Sequence, residues 1–216
     1  MGAAAMREDL IIQKPAGTAA APQLLLLFHG VGADAASMRP LGEALSALRP
    51  QAFVVSVRSP DSSDLGQGWQ WFPVRGVTEA DRPARVAAAM PRFIDTVRAW
   101  QRESGVGAGH TALVGFSQGA IMALESTQLP QPVAGLVIAI AGRFAQPPRA
   151  APPGVRLHLL HGEQDCVMPP ALATDAASQW AALGGSATLD LFPGLGHDID
   201  ARVVRRVAGH LAAPMP

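Results

Sequence analysis

Residues 24–30 read LLLLFHG, five consecutive apolar side chains stopped by His29 and Gly30. A strand with one wet face alternates apolar and polar residues. An unbroken run this short is the pattern of a strand buried on both faces. Both sides of such a sheet must then be covered, and crossover helices are what cover them. Similar runs recur at 52–57 (AFVVSV), 111–115 (TALVG), Val133 to Ala141, 155–162 (VRLHLLHG) and 187–194 (ATLDLFPG). Between them lie segments with helical spacing. Residues 37–48 place Met38, Leu41, Leu45 and Leu48 on one face, and a long helix is expected from about Asp81 to Glu103, with Pro83 near its start and Pro91 as a candidate kink. Residues 118–128, 170–182 and 198–212 read as further helices, and Leu10-Ile11-Ile12 as an edge strand ended by Pro15-Ala16-Gly17. This alternation predicts an α/β fold, a mostly parallel sheet with helices on both faces. With 216 residues, a single domain over 1–216 is expected.

Composition serves mainly to exclude. At 49% hydrophobic and 16% charged residues, the chain reads as folded and globular. Seventeen basic residues balance seventeen acidic ones, so no net field favours nucleic acid or an anionic membrane. Cys166 is the only cysteine, which leaves no disulfide within the chain and no thiolate-rich metal site. The His-Gly pairs at 29–30 and 161–162 lack zinc-site spacing, and no metal is expected. No apolar stretch approaches the ~20 residues of a membrane span. The start, MGAAAMRED, has too short an apolar core for a signal peptide, and Met6 stands where a myristoylation motif wants Ser or Thr. A cytoplasmic protein without a membrane anchor is expected.

Ligands of such sheets bind at the carboxyl ends of the strands. Those ends carry His29-Gly30-Val31-Gly32, Gly115-Phe116-Ser117-Gln118-Gly119, Glu163-Gln164-Asp165 and His197. Glycine makes up 22 of the residues, so G-x-S-x-G alone is a weak signal; its place between a strand and a helix gives it weight. Ser117, Asp165 and His197 follow one another in the chain order of the α/β-hydrolase triad. A serine hydroxyl needs a base to take its proton during attack, the role expected of His197, and Asp165 would hold the imidazole in the right tautomer. The backbone N–H groups of Gln118 and Val31 are the candidate oxyanion donors.

Other residues of the same types receive structural readings. His29 and His161 are expected to hydrogen-bond the loops that carry Val31 and Asp165. His158 reads as a core or face residue, and His110 and His210 as solvated. Asp198 and Asp200 read as helix-start residues, and Cys166 as a small buried hydrophobe. The connection 59–78 exceeds usual loop lengths, which marks it as functional or mobile. It carries Trp69, Trp71 and Phe72, expected to be exposed beside the site, with anchoring of the loop onto the domain as the alternative, above all for Trp69.

HGVGAD, GFSQGAIMALES, HGEQD and GLGHDID together resemble the small serine esterases of the phospholipase/carboxylesterase family, which also contains the acyl-protein thioesterases. The similarity runs from about residue 8 to 212. Two segments, QWFPVRGVTEADRPARV and SGVGAGHTALVGFSQGAIMALE, look closest to a bacterial esterase branch of that family. The resemblance implies an α/β-hydrolase fold without a large lid domain, a triad of Ser117, Asp165 and His197, and hydrolysis of carboxylic esters or thioesters without a cofactor. It also implies that Trp71 and Phe72 lie near the substrate. The chain departs from the thioesterase branch at Cys166, where that branch tends to carry valine or proline. The expected activity is therefore that of a serine carboxylesterase on short- to medium-chain acyl esters. A thioesterase or lysophospholipase-type deacylase is the alternative within enzymes. A non-catalytic binding protein is the alternative outside them, and the complete triad argues against it.

Overall fold

The computed structural model describes residues 8–15 and 22–212. The first seven residues, with the N-terminal readings made on them, and the Ala16-Gly17 part of the breaker lie outside the described residues. The strands are β1 (Leu10–Gln13), β2 (Leu24–Phe28), β3 (Phe53–Val57), a small hairpin of β4 (Asp61–Ser62) and β5 (Trp69–Gln70), β6 (Thr111–Phe116), β7 (Leu136–Ile140), β8 (Arg156–Gly162) and β9 (Ala187–Phe192). Seven of them form one sheet in the order β1-β3-β2-β6-β7-β8-β9. Every pairing in it is parallel except that of β1, the expected edge strand, which runs antiparallel to β3.

Side chains of a strand alternate between faces, and β2 shows what that does when both faces are dry. Leu25 and Leu27 pack with α1 (Arg39–Leu48) and α5 (Ala201–Ala212), through Leu41, Leu45, Val203 and Val207. Leu24, Leu26 and Phe28 pack on the other side with α2 (Arg82–Ser104), α3 (Gln118–Ser126) and α4 (Ala171–Ala182), through Phe93, Val97, Leu124 and Trp180. All five β2 side chains are fully buried, each such leucine contributing about 1.5–3 kcal/mol of transfer free energy. The two helical layers expected from LLLLF are both present.

Local boundaries differ where a hydrogen bond goes elsewhere. β7 begins at Leu136, later than expected, because the Gly135 N–H donates to the carbonyls of Ala108 and Thr111. α5 begins at Ala201 because Asp200 Oδ1 accepts from the N–H groups of Arg202 and Val203, the helix-start role expected of Asp200. α1 ends at Leu48, which is 60% exposed and leaves the apolar face to Met38, Leu41 and Leu45.

The long connection 59–78 is ordered by its own bonds. Trp69 exchanges backbone hydrogen bonds with Gly32 and Ala33, and the Asp64 carboxylate accepts from the N–H groups of Val74 and Arg75. Between β7 and β8, residues 141–155 contain no helix or strand, so no lid is inserted there. The chain moves from β2 to β3 on one side and returns to β6 on the other. The loops after β2 and β6 therefore diverge at a topological switch point, where a crevice forms.

Candidate active site

Ser117 stands between β6 and α3 with φ 53° and ψ −115°. Few non-glycine residues adopt that backbone, and it is held here by close packing on both sides. A Cβ on Gly115 would meet Ala120 Cα at 2.5 Å, and one on Gly119 would meet the Phe28 carbonyl oxygen at 2.3 Å. Both flanking glycines are therefore demanded by contact, as the elbow reading expects.

His197, on the loop between β9 and α5, places Nε2 2.8 Å from Ser117 Oγ, and its Nδ1 lies 2.7 Å from Asp165 Oδ2. A carboxylate only accepts, so Nδ1 carries the proton and Nε2 is free to accept from the serine hydroxyl. Asp165 Oδ1 accepts from the N–H groups of Val167 and Met168 at 2.9 and 2.8 Å. Burial by itself raises the Asp165 carboxyl. The Met168 N–H, the His197 imidazole and the Val167 N–H outweigh it and hold the group below its ordinary value. The three residues read from the sequence are thus brought into one hydrogen-bonded line from β6, β8 and β9.

The loop after β2 reaches the same point. A Cβ on Gly30 would sit 3.2 Å from Ser117 Cβ, so the Gly30–Val31 peptide borders the serine. The buried His29 ring fixes that peptide. Its Nε2 accepts from the Ser59 N–H at 3.0 Å, so Nδ1 is the donor and gives its proton to the Gly30 carbonyl at 2.7 Å. In a planar trans peptide the C=O and the next N–H point opposite ways, and the Val31 N–H is turned away from the His29 ring. Burial lowers the His29 pKa and keeps the imidazole neutral, as this pattern requires. Among the described residues, neither the Val31 N–H nor the Gln118 N–H donates to a protein acceptor, and Gln118 opens α3, where N–H groups lack intrahelical partners.

His161 does for the acid loop what His29 does for the loop after β2. Its Nε2 lies 2.7 Å from the Met168 carbonyl and 3.2 Å from Asp165 Oδ2, with both side chains fully buried. The expected loop-holding roles of both histidines are met.

Three other expectations are corrected. Trp71 and Phe72 are not exposed aromatics: they are 3% and 1% exposed and belong to the core. Trp71 packs edge-on against Phe28 and Phe93, because a ring that large gains more from covering α2 and β2 than from standing in water. Trp69 is half-buried under the Arg58 guanidinium, 3.7 Å from the ring centroid. Cys166 is exposed, since the turn after Asp165 sends its side chain outward. His210 is not solvated; it stacks on His158 and bonds Asp190.

One functional candidate lies beyond the sequence reading, the side chain of Gln118. It is buried, and bonds the backbone of Trp71 and Phe72. Its position directly after Ser117 in the glycine-flanked turn was the available signal. Among the described residues, no group of three or more His, Cys, Asp or Glu is placed to hold a metal ion, and no helix is long and apolar enough to cross a membrane.

Sheet order, elbow and converging strand ends define an α/β hydrolase. The chain belongs to the phospholipase/carboxylesterase family, whose model matches residues 8–214, and is a carboxylic ester hydrolase. Among curated proteins it is 46% identical over 212 residues to the esterase YpfH of Escherichia coli (strain K12), covering 98% of this chain and 90% of that protein. Among solved structures it superposes on the esterase PE8 with a TM-score of 0.83 at 29% identity, covering 95% of this chain and 97% of that one. The carboxylesterase of Bacillus cereus shares the fold, with a TM-score of 0.80 at 17% identity and coverage of 97% and 95%.

Proposed function

We propose that this protein is a serine carboxylesterase that hydrolyses short- to medium-chain acyl esters through an acyl-enzyme. The observation that carries the proposal is the line from Ser117 Oγ through His197 to Asp165, with bonds of 2.8 and 2.7 Å, set at a strained elbow. Ser117 Oγ attacks the acyl carbonyl as its proton passes to His197 Nε2, and the buried Asp165 carboxylate stabilises the resulting imidazolium. The carbonyl oxygen takes the negative charge and is met by the backbone N–H groups of Val31 and Gln118. Collapse breaks the bond to the leaving oxygen, which receives the proton from His197. Water then attacks the acyl-enzyme with His197 again as base, and Ser117 recovers its proton.

The proposed acyl donor is a small ester or thioester, and the proposed compartment is the cytoplasm. An acyl chain meets no inserted lid between β7 and β8, which supports short and medium lengths. A fluorophosphonate probe tests the nucleophile: it should label the wild type at Ser117, and Ser117→Ala should abolish the label. Unlabelled, active wild-type enzyme would overturn the proposal.

A further inference from the structure

We infer that the Gln118 side chain is a positioning residue, and that the connection 59–78 exists to hold the two oxyanion donors at a set separation. This deepens the acyl-transfer reading above and rests on it. Val31 and Gln118 arrive on different elements, the loop after β2 and the start of α3, and no described hydrogen bond joins those two backbone segments directly. The 59–78 segment bridges them.

On the β2 side it attaches to the His29 ring and to three backbone groups. The Ser59 N–H donates to His29 Nε2 at 3.0 Å. The Trp69 carbonyl accepts from the Gly32 N–H at 2.9 Å, and the Trp69 N–H donates to the Ala33 carbonyl at 2.8 Å. The Trp71 indole N–H donates to the His29 carbonyl at 2.9 Å. These bonds fall on either side of Val31. On the α3 side a single side chain makes the attachment. Gln118 Oε1 accepts from the Trp71 N–H, and Gln118 Nε2 donates to the Phe72 carbonyl, both at 2.7 Å. A backbone N–H only donates and a carbonyl only accepts, so the amide orientation is forced. Trp71 thus lies at the crossing point, its indole on one donor loop and its backbone on the side chain of the other donor.

Gln118 is buried, and the oxygen and nitrogen of its amide are both engaged by the loop. Its amide acts through the loop. Catalytic hydrogen bonds to an oxyanion tolerate little misplacement, because the donors must meet the oxygen where it sits in the transition state. A merely structural role would cost stability and leave the chemistry alone.

The experiment compares Gln118→Met, Trp71→Phe and the double variant with wild type. Gln118→Met keeps the length and removes both amide bonds; Trp71→Phe removes the indole bond to the His29 carbonyl together with part of the ring packing on Phe28 and Phe93. In Gln118→Met, kcat should fall by about 10²–10³-fold with KM within a few-fold. The affinity of a trifluoromethyl ketone analogue, which gains an oxyanion on addition of Ser117, should fall by a similar factor. Trp71→Phe should lose about tenfold in both quantities. The double variant should lose less than the product of the two, because both act on one loop. Folded variants whose kcat and inhibitor affinity stay within threefold of wild type overturn the inference, as does a fully multiplicative double variant. Should Gln118→Met fail to fold, unchanged kcat in Trp71→Phe alone overturns it. Wild type that takes no fluorophosphonate label would defeat the esterase reading instead, so the two failures are distinguishable.

Discussion

Ser117 holds φ 53° and ψ −115°, where a side chain costs about 1–3 kcal/mol and glycine costs little. Ser117→Gly should therefore abolish turnover and raise the melting temperature, by roughly 2–4 °C per kcal/mol for a domain of this size. Ser117→Ala keeps the Cβ, so it should lose at least ~10⁴ in kcat without the thermal gain. Equal melting temperatures for the two variants would mean the elbow stores no strain. Asp165 is legible at the same scale. Its carboxylate takes the His197 Nδ1–H on one oxygen and two backbone N–H groups on the other. Asp165→Asn should keep the fold and lose about 10⁴ in kcat, because an amide can turn an N–H toward Nδ1 and hold the wrong tautomer. Asp198 and Asp200 bond their own loop and helix start, and Asn at either position should leave kcat near wild type. A dead Asp198→Asn or Asp200→Asn enzyme beside an active Asp165→Asn enzyme would assign the acid elsewhere.

The corner where α5 meets β8 and β9 carries a titrating cluster that the order of elements does not reveal. His158 and His210 stack with ring centroids 3.8 Å apart, 14° from coplanar. His158 Nδ1 lies 2.7 Å from Thr188 Oγ1, and Asp190 takes His210 Nε2 at 2.7 Å and Arg206 Nε at 2.6 Å. Burial first, then the neighbouring His210 and Arg156, lower the His158 pKa from 6.5 to about 4, against an opposing pull from Asp190. The unfolded chain therefore binds more protons than the folded one between these values. The contribution of His158 to stability is complete above pH 6.5 and is lost as pH falls toward about 4. Urea midpoints measured from pH 8 to pH 4 should fall over that window, and His158→Phe should flatten the fall. An unchanged slope in the variant would place the acid sensitivity elsewhere.

For the molecule as a whole, the site is the place where the loops after β2, β6, β8 and β9 meet at one end of the sheet. Nothing is inserted at 141–155 to cover it, so substrate is expected to enter without lid opening. Across a series of acyl esters, kcat/KM should peak at short to medium chain lengths and show no jump when substrate aggregates. An optimum at sixteen carbons, or interfacial activation, would overturn that expectation. The buried Trp71 and Phe72 anchor the 59–78 connection to the core.

The sequence alone determined the two-faced sheet, because LLLLF, FVVSV and LVIAI have no polar side to turn to water, and that burial leaves few architectures open. It singled out Ser117, Asp165 and His197 too, since a strained serine turn demands glycines on both sides and the strand ends carry the other two in order, and the fold brings the three within hydrogen-bond distance of one another. It did not determine which way Trp71 and Cys166 face, the pairing of His158 with His210, or the bonds of the Gln118 side chain. Those depend on contacts between segments far apart in the chain, such as Trp71 with Phe28 and Gln118 with Phe72. A loop carries no periodicity that records what it will pack against, so only the folded arrangement decides whether its aromatic rings meet solvent, substrate or core.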